Sequence, residues 1–169
     1  MPRPTLTDAR RPLTFEIDAV NEHGEPVPTH IAGEHPLTIY VDRQELVTLM
    51  TLGGAPEALT LGYLRNQRLV DSVEAIASVQ VDWEVNAVAV TTHAGRGVEP
   101  RRVEKRTVTT GCGQGTVFGD LMADIDRVRL PADRRLAQAT LYGLLESVRH
   151  HESIYKQAGA VHGCALARG

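Results

Sequence analysis

Apolar and polar residues alternate most regularly in the first half of the chain. Leu37-Thr38-Ile39-Tyr40-Val41 and Leu46-Val47-Thr48-Leu49-Met50 are two β-rich runs joined through the polar stretch Asp42-Arg43-Gln44-Glu45, which is the pattern of a hairpin. Upstream, Leu13, Phe15 and Ile17 alternate with Thr14, Glu16 and Asp18, the period of a half-buried strand. Asn21-Glu22-His23-Gly24 reads as a solvent-facing loop, and Pro2, Pro4 and Pro12 give residues 1–12 the character of a flexible tail. Gly53-Gly54 breaks the sheet pattern. Pro56 and Glu57 then suit the first turn of a helix carrying Leu59, Leu61, Leu64 and Leu69, which Thr60 and Gly62 weaken locally. Further β-rich zones follow at 79–92 and 103–108, separated by Gly95-Arg96-Gly97, and Trp83 reads as a packing residue.

Past residue 115 the reading becomes mostly helical. Val117-Phe118 and Leu121-Met122 suggest a short helix. A longer one is expected from about Asp133, which can cap it, to about Tyr155, with Leu136, Ala137, Leu141, Leu144, Leu145 and Val148 on one stripe. The small apolar run from Ala160 to Leu166 predicts a buried strand in which His162 and Cys164 share a face. The fold class is therefore α+β. Its expected parts are a flexible tail (1–12), a β-rich amino-terminal domain with a mixed sheet and a helix (13–108), a cysteine loop (109–115) and a further region (116–169).

Composition narrows the function classes. At 169 residues, with 42% hydrophobic and 23% charged residues, the chain resembles an ordinary globular protein. A domain of this size buries roughly 70% of the surface its unfolded chain exposes, so burial alone can hold it. A formal net charge of -3 supplies no basic field for nucleic acid. No apolar run approaches the about 18 residues of a membrane span, and Met1 to Arg11 lacks the core of a signal peptide, so a cytoplasmic protein without a membrane partner is expected. The two cysteines, Cys112 and Cys164, form neither a disulfide framework nor a zinc-ligand cadence, which fits a reducing compartment.

The candidate chemistry lies in Thr109-Thr110-Gly111-Cys112-Gly113-Gln114-Gly115. A glycine frame lets the backbone take positive φ and present the Cys112 sulfur outward, where a core cysteine would be inert. Arg101, Arg102, Lys105 and Arg106 precede the loop. Such a cluster is either a solvated strand face or a source of positive potential that favours thiolate and draws in an anionic substrate. His150 and His151 are adjacent, so on a helix they diverge and make a poor metal pair.

Taken in order, Leu37-Thr38-Ile39-Tyr40-Val41, Leu46-Val47-Thr48-Leu49-Met50, Glu57-Ala58-Leu59-Thr60-Leu61-Gly62-Tyr63-Leu64, the cysteine loop and Ala158-Gly159-Ala160-Val161-His162-Gly163-Cys164-Ala165-Leu166 closely resemble the FdhD family, the formate dehydrogenase accessory sulfurtransferases. The resemblance covers nearly the whole chain after residue 12. It implies a protein that takes sulfur as a persulfide from a cysteine desulfurase and passes it to the molybdenum cofactor, in its bis-guanine dinucleotide form, of formate dehydrogenase. Cys112 stands where the family carries the persulfide. Two departures follow from the same resemblance. The family's Cys-x-x-Cys pair has Gly115 at its second position here, and the family's second half, a deaminase-like domain bearing much of the cofactor-binding surface, is almost entirely missing after Leu166. Residues 116–169 would then be an incomplete deaminase-like domain, expected to associate as a homodimer or with a separate carboxy-terminal chain. Cofactor-binding residues cannot be assigned in this way.

Three readings remain open on the sequence. The first is a single-cysteine sulfurtransferase using Cys112. The second is a non-catalytic relative that binds a partner or the cofactor, favoured by Gly115. In the third, Cys112, His162 and Cys164, with His93, hold a metal, but their spacing gives little support and no tightly bound metal is expected.

Overall fold

The computed structural model describes residues 3–98, 127–133, 135–151, 153–159, 161 and 165–167. In chain order the strands are β1 (Thr5–Leu6), β2 (Thr14–Val20), β3 (Pro26–Ala32), β4 (His35–Val41), β5 (Gln44–Thr51), β6 (Ile76–Asp82) and β7 (Ala87–Thr92). The helices are α1 (Pro56–Asn66), α2 (Gln138–His150) and α3 (Ile154–Ala158). This is the α+β class expected. The chain divides into two units, one of residues 1–12 and 34–125 and the other of residues 13–33 and 126–169.

The first unit is built on a mixed five-stranded sheet in the order β1-β6-β7-β4-β5. The expected hairpin is β4–β5, antiparallel, with Leu37 opposite Leu49 and Ile39 opposite Val47. Its connection is a two-residue turn in which Asp42 (φ 44°) and Arg43 (φ 72°) are both left-handed, the backbone twist that matches two flanking strands. Leu37, Ile39 and Val41 are fully buried on one face of β4, and Val88 and Val90 of β7 continue that face. β4 and β7 run parallel, so the intervening chain must cross over, and α1 lies on that crossover.

Helix α1 begins at Pro56, as expected, and polar residues share its buried face with Leu64. Pro56, Glu57, Thr60 and Leu64 turn inward, while Leu59 is exposed. The two polar residues are tolerated because both are satisfied. The Thr60 hydroxyl donates to Pro56 O at 2.8 Å, and Glu57 Oε1 accepts the Ala9 N–H at 2.8 Å.

That second bond belongs to a series holding residues 5–11, which were expected to be a flexible tail. β1 pairs in parallel with β6. Beyond it, the Thr7 hydroxyl donates to Val79 O and accepts the Val81 N–H. Trp83 Nε1 donates to Ala9 O at 2.7 Å, and Arg11 N donates to Gly53 O while its guanidinium lies 4.9 Å from the Trp83 ring centroid. Trp83, partly buried against the core, is a packing residue as expected.

In the second unit, β2 and β3 form a hairpin paired from Thr14–Ala32 to Val20–Pro26. The loop between them is closed by Asn21, whose Oδ1 accepts the N–H groups of His23 and Glu25 at 2.9 Å each. Pro26 and Pro28 do not prevent β3. Asn21 N bonds Glu25 O, so the ladder's alternation turns the nitrogens of residues 26 and 28 to the open edge, where no N–H is needed. The single helix expected over 133–155 is two shorter ones. α2 starts at Gln138, five residues beyond Asp133, and stops at His150. His151 and Ser153 take extended dihedrals before α3 begins. In the strand expected over 160–166, residues 160 and 162–164 lie outside the described residues, as do the runs 103–108 and 117–122.

Candidate functional site

Cys112, Gly115, the basic cluster at 101–106, His162 and Cys164 all lie outside the described residues. Toward the cysteine loop in sequence the described chain runs as far as Val98, and the segment from Thr92 to Val98 is fastened by side chains of the β4–β5 hairpin, Asp42 foremost. Asp42, at the tip of the β4–β5 hairpin, accepts three hydrogen bonds. Its Oδ1 takes the Thr92 N–H at 2.9 Å, and its Oδ2 takes the Thr92 hydroxyl at 2.5 Å and the Gly97 N–H at 2.9 Å. The Asp42 N–H donates in turn to Val90 O, so the residue is held on both sides.

The neighbours extend this arrangement. Thr92 Oγ1 accepts the Gly95 N–H at 3.0 Å, and Gln44 Oε1 accepts the Val98 N–H at 3.3 Å. Gly97 has φ +69°, and a Cβ there would come to 3.0 Å from Gln44 Oε1, so the position suits glycine sterically and conformationally. Val98 itself is buried with the core of the sheet. Partial desolvation pushes the Asp42 carboxyl upward, but the bonds from the Thr92 hydroxyl, the Thr92 N–H and the Gly97 N–H outweigh it, and the group titrates below its ordinary value. A carboxylate in this setting is a structural acceptor. Sequence reading had placed Asp42 in a polar linker with no role.

Of the residues weighed as metal ligands, only His93 is described, and its N–H donates to Ala75 O in the turn after β7. No group of three or more His, Cys, Asp or Glu side chains able to hold a metal ion occurs among the described residues. His150 is exposed and its Nδ1 lies 3.3 Å from Glu146 Oε1, a helix-surface contact. No helix among the described residues is long and apolar enough to cross a membrane.

Comparison with known proteins places these observations in a family. The profile of the FdhD/NarQ family matches residues 32–169, a span that includes the cysteine loop. The chain is 27% identical over 144 residues to the sulfur carrier protein FdhD of Listeria monocytogenes serotype 4b, covering 84% of this chain and 55% of that protein. It is 30% identical over 160 residues to the sulfur carrier protein FdhD of an Anaeromyxobacter species (strain K), covering 87% of this chain and 54% of that one. The chain therefore spans about half the length of the curated relatives it matches. A crystal structure from Desulfotalea psychrophila, assigned as a formate dehydrogenase accessory protein, aligns over 59% of this chain and 44% of that one, with a TM-score of 0.44 and 18% identity.

Proposed function

The chain belongs to the FdhD/NarQ family, and from that premise we propose that it is a sulfur carrier using Cys112, loaded by a cysteine desulfurase and serving the molybdenum cofactor of formate dehydrogenase. The observation that supports this reading is the family match across residues 32–169, which takes in Cys112 between its glycines. Curated relatives named sulfur carrier protein FdhD support the carrier role. The proposed setting is a reducing cytosol, because a carrier thiol must stay unpaired between loads.

The first step conserves electrons. The Cys112 thiolate attacks the terminal sulfur of the desulfurase persulfide, the donor's S–S bond breaks, the donor cysteine leaves as thiolate, and Cys112 carries the new S–S bond. Arg101, Arg102, Lys105 and Arg106, close by in sequence, supply positive charge that favours the attacking thiolate. Delivery to the cofactor, which is the acceptor substrate here, differs in kind. Releasing the outer sulfur as sulfide takes two electrons, and a second thiol supplies them by forming a disulfide with Cys112. Gly115 occupies the position where the resemblance places that thiol, so this chain either works with Cys112 alone or releases its sulfur with reduced or altered activity.

The test is mass analysis after incubation with a cysteine desulfurase and cysteine. One added sulfur at Cys112, removable by a thiol and absent from Cys112→Ser, is the expected result. Sulfur on Cys164, or on neither cysteine, would sink the proposal. Restoring the pair with Gly115→Cys is expected to speed release of the sulfur without altering loading.

A further inference from the structure

Arg11 and His35 flank the β2–β3 hairpin in sequence, and their side chains meet in the first unit. The chain leaves that unit after Pro12 and returns to it at Glu34, so the contact ties the departing stretch to the returning one. Arg11 Nη1 lies 3.3 Å from His35 Nδ1. A guanidinium has donors and no acceptor, so Nδ1 accepts and the ring is neutral, with its proton on Nε2. Nε2 is buried. Trp83 backs both groups. The guanidinium carbon lies 4.9 Å from its ring centroid, Nη2 donates to Trp83 O at 3.4 Å, and the imidazole centroid is 5.8 Å away with the rings tilted by 57°.

The fit at this point is close. Arg11 N donates to Gly53 O at 3.0 Å, and a Cβ at Gly53, where φ is +76°, would come to 3.0 Å from Arg11 Cβ and 3.3 Å from Trp83 Cζ2. The guanidinium engages a ring nitrogen, a carbonyl oxygen and an indole face, all uncharged. The charged groups of the elements around His35 are Arg11, which meets the ring; Glu34, next in the chain and exposed; Asp82 and Glu84, exposed on either side of Trp83; and Glu57 of α1, whose Oε1 is engaged by the Ala9 N–H. Thr51, opposite His35 on β5, is neutral.

We propose that His35 is a proton-sensitive latch for residues 9–11, closed while its ring is neutral and Nδ1 holds Arg11. A proton taken up at Nδ1 occupies the lone pair that Arg11 uses. It also sets two cations against each other where the second ring nitrogen is shut off from water. The guanidinium then withdraws, and the backbone it anchors at Gly53 and against Trp83 loosens with it. Imidazole changes charge between about pH 5 and 8, so the latch is closed above that range and opens as the pH falls through it.

The experiment uses the full chain, in which Trp83 is the sole tryptophan, so indole fluorescence reports on this place alone. A protonated imidazole beside an indole quenches it. Hydrogen-exchange protection of the Arg11 amide and the Trp83 indole N–H, corrected for the intrinsic pH dependence of exchange, is followed from pH 8 to pH 5 together with the fluorescence. Protection should fall by about 10-fold, the effect of losing a hydrogen bond to a charged group, and fluorescence should fall with the same midpoint. His35→Asn presents a neutral acceptor oxygen near the place of Nδ1 and takes up no proton, so it should keep its protection at pH 5. Arg11→Met keeps the stem and loses the donors, so it should be as weakly protected at pH 8 as the unaltered chain is at pH 5. It carries the test should His35→Asn fail to fold. Protection that holds down to pH 5 in the unaltered chain would overturn the proposal. The same fall with pH in His35→Asn or in Arg11→Met would overturn it as well, since another group would then be titrating. Quenching without loss of protection would also sink it, because His35 would then take up its proton with Arg11 still in place.

Discussion

The two units use the same alternation of apolar and polar residues and bury it to very different extents. In the sheet of the first unit, Leu37, Ile39, Val41, Val79 and Val88 are almost completely inaccessible. In the second, Phe15 and Ile17 of β2 and Val27 and Ile31 of β3 remain exposed, as do Leu141, Leu144, Leu145 and Val148 of α2. The difference lies in how each layer is assembled. The first sheet joins strands distant in sequence, through the parallel pairs β1–β6 and β4–β7, and receives α1 on one face. The β2–β3 hairpin is a local pair, and a two-stranded sheet has little capacity to bury its own face. Periodicity predicts an element and its apolar side; only a second layer makes that side a core.

The strongest way to break this comparison is to truncate one residue in each unit. Ile39→Ala should destabilise the first unit by about 2–5 kcal/mol, the range for emptying a closely packed site. Leu145→Ala, on an exposed helix face, should change stability by no more than about 0.5 kcal/mol. Urea unfolding followed by a probe in each unit distinguishes them. A cost at Leu145 comparable to that at Ile39 would mean that the second unit has a core the comparison denies it.

A smaller effect sharpens the account of the first unit. Glu57 is buried in α1 and accepts the Ala9 N–H, so Glu57→Ala leaves that amide without its acceptor. The expected loss is about 1–3 kcal/mol. Trypsin cleavage after Arg10 should rise in the variant, because the segment from β1 to Arg11 is then held by fewer bonds. Unchanged cleavage would assign the docking of this segment to Trp83 and Thr7 instead.

The sequence made the β4–β5 hairpin, the start of α1 at Pro56 and the Asn21–Gly24 turn legible, since each is written in neighbouring residues. It hid whatever depends on distant partners. β1 is two residues long, and the segment after it is held by side chain to backbone bonds such as Thr7 to Val79, 72 residues away, which no local window contains. Thr60 and Glu57 lie beside Leu64 on the buried face of α1 because Pro56 O and Ala9 N meet them, which a count of leucines does not reveal. β3 was hidden by Pro26 and Pro28, which are harmless on an edge. Cys112 was singled out in the sequence by its glycines and by the family resemblance, and it lies outside the described residues. Asp42 was not, because a charged residue in a polar turn looks solvated until Thr92 and Gly97 are brought to it.

Asp42 also makes one part of the first unit sensitive to acid. Its carboxyl titrates below the ordinary value in the folded chain, so the folded state holds it ionised more readily than the unfolded state does. Its contribution to stability is complete above the unfolded value of about 3.9. It declines as the pH falls below that value and is gone once the pH has passed the lower folded one. Because other carboxylates titrate alike in both proteins, the difference in unfolding midpoint between the unaltered chain and Asp42→Asn isolates this group. That gap should be widest near neutrality and narrow toward about pH 3. A gap independent of pH would mean that Asn satisfies Thr92 and Gly97 as well as the carboxylate does.

The smallest expected change has the opposite sign. Gly62 lies inside α1, where glycine is less favourable than alanine because its backbone loses more freedom on folding. Sequence alone left two explanations, a close approach to the sheet or a tolerated cost. A Cβ built at Gly62 meets nothing within 4 Å, so close packing does not require the glycine. The buried face of the helix, formed by Pro56, Glu57, Thr60 and Leu64, leaves residue 62 outside it. Gly62→Ala should therefore stabilise the first unit by about 0.5–1 kcal/mol. Denaturant unfolding should show a raised midpoint with an unchanged slope, the sign of a change in stability without a change in the surface exposed. A lowered midpoint would mean that another part of the chain packs against this position, and the exposed side of α1 would then belong to an interface within the protein.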